Sequence, residues 1–187
     1  MNILFVCTGN TCRSPMAAAL LKQKTPEVHV RSAGIFAQAG QPASSQAIAA
    51  LAERGIELKH VASPISEDLL EWSDLVLTMT TGHKQSLILQ YPAFQEKYFT
   101  LKEYTAETDK KVWGEMKELQ AKLEAERLGL SADAKMDLIK RIQHLESQLV
   151  DYDVQDPFGG SIKTYKNTLQ ELDQYLDILA EKMKKRH

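Results

Sequence analysis

The chain has 187 residues, 43% hydrophobic and 26% charged, enough apolar material for one buried core with room for an appendage. A formal net charge of −2 removes any general electrostatic case for nucleic acid or an anionic membrane as partner. The N-terminal apolar run is too short for a signal peptide and lacks a basic flank, and no segment approaches the roughly 20 apolar residues of a bilayer span, so a soluble cytoplasmic protein is expected.

In chain order, Asn2 to Val6 reads as a buried strand. The polar stretch Cys7-Thr8-Gly9-Asn10-Thr11-Cys12-Arg13-Ser14 follows, and Pro15 opens an Ala- and Leu-rich helix to Lys24. Val28 to Ser32 alternates like a strand and ends in Ala33-Gly34. Ala43 to Arg54 is a second helix, stopped by Gly55. Ser66 with Glu67 and Asp68 marks another helix start. Leu75-Val76-Leu77 is a short buried strand, Lys84 to Gln90 a helix, and Phe99-Thr100-Leu101 an edge or final strand. Strands alternating with helices predict an α/β fold, a doubly wound parallel sheet flanked by helices.

Glu107 to Val150 differs in character, with no Pro and a density of Glu, Lys, Leu and Ala. Val112, Met116, Leu119 and Leu123 recur at helical spacing, as do Leu138, Ile142, Leu145 and Leu149, with Gly129 and Ser131 between the runs. This predicts an inserted antiparallel helical hairpin, its mixed charges forming a solvated face. The loop Asp156-Pro157-Phe158-Gly159-Gly160 precedes a last amphipathic helix from Ser161 to Lys184, buried along Leu169, Leu172, Leu176 and Leu179. Lys182, Lys184, Lys185 and Arg186 complement its C-terminal dipole. The whole reads as one domain, 1–187, with 107–150 as the insert.

The chemistry concentrates between Cys7 and Ser14. Strand, polar loop and helix N-terminus make an anion site, since free N–H groups and the helix dipole favour negative charge there and stabilise a thiolate. Cys7 is the candidate nucleophile for a bound phosphoryl group. Arg13 offers a planar fork for two phosphate oxygens. Thr8, Gly9, Asn10, Thr11 and Cys12 line the phosphate, with Gly9 permitting the turn and Asn10 holding the loop through its side chain. Ser14 donates to the thiolate. Asp156, stiffened by Pro157 and made mobile by Gly159-Gly160, is the candidate general acid. Neither cysteine belongs to a disulfide framework or a zinc spacing, and no metal or cofactor is expected. A reversible Cys7–Cys12 disulfide is the expected redox response, with a small packing role for Cys12 as its alternative.

These segments resemble the low-molecular-weight protein tyrosine phosphatase family: Cys7 to Ser14 with Pro15, Ser32-Ala33-Gly34, Gly55 to His60-Val61, and Asp156-Pro157. The resemblance covers roughly residues 1–105 and 151–187. It implies a cysteinyl-phosphate intermediate, no metal, phosphorylated proteins as partners, and supporting roles for Ser32 and His60 around Asn10. Thr11, where the family usually has a larger aliphatic residue, and Phe158 followed by Gly159 in place of two aromatics, resemble the protein-arginine phosphatases of Gram-positive bacteria, as does Phe36. A Thr hydroxyl suits a guanidinium at the pocket wall, and loss of the second aromatic removes stacking surface for a phenol. Phosphoarginine is therefore the expected substrate and phosphotyrosine the alternative. Arsenate reduction needs resolving cysteines that are missing after Cys12, and the intact set Cys7, Arg13, Ser14 and Asp156 argues against a non-catalytic scaffold. The insert is expected either to decorate the fold or to dock substrate or mediate self-association.

Overall fold

The computed structural model describes residues 1–106, 114–115, 118–119, 121–123, 132–148 and 151–185. Two compact units emerge: Met1–Thr105 with Tyr152–His187, and Ala106–Asp151. The first contains β1 (Asn2–Cys7), α1 (Arg13–Lys24), β2 (His29–Gly34), α2 (Ser45–Ala52), α3 (Glu67–Trp72), β3 (Leu75–Thr78), α4 (Thr81–Gln90), β4 (Tyr98–Thr100) and α5 (Leu101–Thr105). The second contains α6 (Ala132–Gln148), and the first resumes with α7 (Ile162–Lys184).

The sheet is parallel throughout and ordered β2-β1-β3-β4. Alternation along β1 assigns its side chains to two cores. Ile3, Phe5 and Cys7 face a cluster with Met16, Leu20 and Leu21 of α1 and Leu169, Leu172 and Leu176 of α7. Leu4 and Val6 face a second cluster with Val76, Leu87 and Tyr98. Both faces are covered, as a parallel sheet requires. The chain leaves β1 for β2 on one side and returns to β3 on the other, so the strand order reverses beside β1. Ligands bind at the carboxyl ends of strands flanking such a reversal. Cys7 is the last residue of β1.

Expected and observed elements differ mainly at their starts. α1 begins at Arg13 rather than Pro15, which puts Arg13 and Ser14 in its first turn. α4 begins at Thr81, earlier than Lys84, because the Thr80 hydroxyl accepts the His83 N–H and caps it. Ser44 does the same for α2, whose start moves from Ala43 to Ser45. β4 is the edge strand expected near Phe99, and Leu101 already opens α5.

Of the expected hairpin, α6 supplies one helical run, with Ile142 and Leu145 buried and Leu138 half-buried. Residues 114–115, 118–119 and 121–123 are also helical. Val112, Met116, Gly129, Ser131 and Leu149 lie outside the described residues, as does Arg186 of the basic terminus. Among the described residues, no helix is long and apolar enough to cross a membrane.

Candidate active site

The loop from Thr8 to Cys12 is held by its carbonyls. Ile35 N–H donates to the Cys7 oxygen at 3.0 Å, Phe36 N–H to Thr8 at 2.9 Å and Ser44 N–H to Thr11 at 2.9 Å. His60 Nε2 donates to the Asn10 carbonyl at 2.7 Å. In a trans peptide the N–H points opposite to the preceding C=O. Fastening these four carbonyls to outside donors therefore turns the N–H groups of Thr8, Gly9, Thr11 and Cys12 the other way. That is how a short loop becomes an anion cradle.

Asn10 makes the tight turn. Its φ of 55° is the one left-handed value among the described non-glycine residues. Gly9, the residue expected to turn the chain, is not left-handed, and a Cβ there would make only an ordinary contact with Thr11. The buried Asn10 side chain stabilises its own backbone strain. Nδ2 donates to Ser14 Oγ and to Ser32 Oγ, both at 2.9 Å, and Oδ1 accepts from Ser63 N–H at 2.9 Å. Ser32 thus meets the Asn10 side chain and His60 the Asn10 carbonyl. Burial is the main cause that lowers the His60 pKa, against the opposing pull of its bond to Asn10 and with a smaller contribution from Lys22. The ring is therefore the neutral Nε2–H form that the Asn10 carbonyl requires.

Cys7 is buried, with Sγ 3.0 Å from Ser14 Oγ. Because Asn10 donates to Ser14 Oγ, the Ser14 proton is available to the sulfur, the Ala33 carbonyl being farther at 3.4 Å. Arg13 is 4% exposed. Its Nη1 donates to the Val154 carbonyl at 3.2 Å, and its Nη2 donates to Asp156 Oδ2 at 2.7 Å and to Thr8 Oγ1 at 3.5 Å. The guanidinium joins the loop after β1 to the segment before α7. Its buried Nε has no partner among the described residues.

Asp156 uses its other oxygen to accept the Phe158 N–H at 3.2 Å. Phe158 itself is 78% exposed. The two glycines that follow build a tight turn. Gly159 has φ +74°, and a Cβ on Gly160 would lie 2.9 Å from the Pro157 carbonyl. Thr11 is half-buried, with its hydroxyl 3.5 Å from Cys12 Sγ. Cys12 Sγ also sits 3.2 Å from Tyr165 Oη and 3.5 Å from Ser44 Oγ. Both cysteines are free thiols.

Two participants escaped the sequence. Tyr165 on α7 reaches Cys12 across 153 positions. His83 on α4 places Nε2 2.8 Å from Thr8 Oγ1. Burial and then the Arg13 charge hold its pKa down at about 4, against the opposing pull of Asp156 and Asp153. His83 is therefore neutral near pH 7. Only the polar run after β3 marked this region, at the same carboxyl edge as Cys7.

Fold and site together define a thiol-based phosphatase on a doubly wound sheet. Residues 2–121 match the family model described as low molecular weight phosphotyrosine protein phosphatase. The chain belongs to that family, and its reading as a phosphoprotein phosphatase is borne out. It is 40% identical to the protein-arginine-phosphatase of Bacillus subtilis (strain 168), over 99% of this chain and 98% of that protein. It is 33% identical to the low molecular weight protein-tyrosine-phosphatase PtpB of Staphylococcus haemolyticus, over 92% of each. A solved YwlE arginine phosphatase, a cysteine-to-serine mutant with a phosphorylated active-site serine, superposes with a TM-score of 0.73 at 40% identity. That match covers 99% of this chain and 97% of the other.

Proposed function

We propose that the protein hydrolyses phosphoarginine in cytoplasmic proteins through a phosphocysteine on Cys7. The observation that carries this reading is the reach of Arg13, which touches Thr8 of the loop, the Val154 carbonyl and the Asp156 carboxylate at once. A phosphoryl group in the loop takes over the donors that Asp156 now accepts and supplies the partner that Arg13 Nε lacks. The carboxyl group then faces the leaving group. Cys7 Sγ attacks phosphorus as the P–N bond breaks, the electron pair goes to the guanidine nitrogen, and Asp156 delivers its proton there. In the second step water attacks phosphorus, Asp156 takes a proton from it, and the S–P bond breaks. Ser14 stabilises the departing thiolate. Arginine and inorganic phosphate leave, and no metal enters either step.

Thr11 and the exposed Phe158, followed by a glycine turn, favour a guanidinium over a phenol at the pocket wall. The arginine-phosphatase relative spans the same length as this chain, which supports the same choice. The second reading is a protein tyrosine phosphatase, favoured by the near full-length match to PtpB. Side-by-side kcat/KM values on phosphoarginine and phosphotyrosine decide between them. Phosphoarginine is expected to win by at least about tenfold, roughly the 1.4 kcal/mol that one well-placed polar contact supplies. Thr11→Ile is expected to shift the ratio toward phosphotyrosine, and an unchanged ratio would remove Thr11 from the account. Cys7→Ser is expected to abolish turnover on any substrate. Within one phosphatase domain, we read the 107–150 insert as a decoration of the fold, with substrate docking or self-association as the alternative. The fold offers no reason to expect nucleic acid or membrane as partners, given the net charge of −2.

A further inference from the structure

Asp156 ends a segment whose backbone is fastened group by group. The Asp153 carbonyl accepts from Lys102 Nζ at 2.6 Å. Val154 N–H donates to the Met79 carbonyl at 2.8 Å, and its own carbonyl accepts from Arg13. Gln155 N–H donates to Glu171 Oε2 at 3.4 Å. The Asp153 side chain accepts from Thr81 N–H and Oγ1 on α4, at 2.7 and 3.0 Å.

Two of these contacts meet in one ion pair, buried at Lys102 and half-buried at Glu171. Lys102 is only 6% exposed, and its ammonium lies 2.6 Å from Glu171 Oε1 and 5.5 Å from the Tyr175 ring centroid. Lys102 stands on α5 and Glu171 on α7. One ammonium thus binds the carbonyl of residue 153 while its counter-ion binds the N–H of residue 155. A buried charge is costly unless its geometry and partners are good, and is weak evidence for stability alone. Here the pair's hydrogen bonds go to two of the three residues that lead into Asp156, the Asp153 carbonyl and the Gln155 N–H.

We infer that Lys102, acting with Glu171, is a positioning residue for the proton-donating carboxyl of Asp156. The inference rests on the reading of Asp156 as general acid. Proton delivery matters most when the leaving group is a strong base, because a weak base departs unaided. Misplacing the acid therefore slows poor leaving groups selectively, whereas damage to the fold or to the Cys7 loop slows all of them alike.

The test compares kcat/KM for phenyl phosphate and 2,4-dinitrophenyl phosphate in the parent, Lys102→Met, Glu171→Gln and Asp156→Asn, with inhibition by inorganic phosphate as a check on the loop. Asp156→Asn is expected to lose about 100-fold on phenyl phosphate and far less on the dinitrophenyl ester. Lys102→Met is expected to show the same selectivity at about tenfold, with phosphate inhibition within about twofold of the parent and little further loss when combined with Asp156→Asn. Glu171→Gln, on a more exposed residue, is expected to show a smaller selective loss and carries the test if Lys102→Met does not fold. Selective loss in Asp156→Asn with equal losses on both esters in Lys102→Met or, failing that, Glu171→Gln overturns the positioning role and leaves the acid standing. Equal losses in Asp156→Asn overturn the acid reading and the positioning role with it.

Discussion

Gly34 ends β2 directly beneath the phosphate loop. A Cβ there would lie 2.6 Å from the Thr8 carbonyl oxygen and 2.8 Å from Asn10 N, both backbone atoms that cannot move without moving the cradle. Gly34→Ala is therefore expected to cost about 1–3 kcal/mol of stability, as overpacking does, and at least about tenfold in kcat/KM on an aryl phosphate. Urea titration and steady-state rates check this, and parent-like values for both would show that the loop has room to yield. His83 permits a second prediction. Its folded pKa of about 4 lies below the ordinary 6.5, so the folded protein binds fewer protons than the unfolded chain between those values. The stability it contributes is complete above about pH 6.5 and drains away as the pH falls toward 4. Thermal melting is expected to fall across that window, and His83→Asn to flatten the fall by roughly 4 °C. His60 is shifted the same way, so the slope is reduced rather than abolished.

Helix α7 is the element that holds the rest to the sheet. Leu169, Leu172, Leu176 and Leu179 on one stripe are at most 1% exposed. Beside the stripe, Asp173 pairs with Lys24 at the end of α1 and with Arg54 just past α2, each at 2.7 Å. Partial burial pushes the Asp173 carboxyl up, but the two cations outweigh it and hold the pKa below its ordinary value. Its contribution is therefore present above the unfolded carboxylate range and is lost as the pH falls through the lowered folded value. Asp173→Asn is expected to cost about 1 kcal/mol near pH 7 and little in strong acid, measured by urea unfolding at the two pH values. An equal cost at both would assign the effect to packing.

At the scale of the molecule, the nucleophile belongs to the unit Met1–Thr105 with Tyr152–His187, and the insert lies in the unit Ala106–Asp151. Replacing residues 107–150 by a short linker is expected to leave aryl-phosphate hydrolysis within about threefold, since the candidate catalytic groups Cys7, Arg13, Ser14 and Asp156 all lie outside them. If the insert mediates self-association, sedimentation of that variant is expected to report a smaller assembly than the lost mass explains. Most of the sheet and the phosphate loop were legible in the sequence for a local reason. Cys7, Arg13 and Ser14 lie within one loop and one helical turn, so their spacing already encodes their meeting. Strand and helix centres announced themselves by apolar runs, while starts hidden in Thr80 and Ser44 caps did not. His83, Tyr165 and Lys102 stayed invisible because each meets its partner across 51 to 153 positions, where no spacing rule applies.

The span of Arg13 has a consequence for synthesis. A ribosome makes Arg13 141 residues before Val154 and 143 before Asp156, the carbonyl and carboxylate partners of its guanidinium. Parallel strands also wait on distant sequence before they pair. A nascent chain stalled short of Val154 would carry the thiol and the cradle sequence without the acid, Tyr165 or the α7 stripe. It is expected to stay catalytically silent until Asp156 and the α7 stripe have emerged.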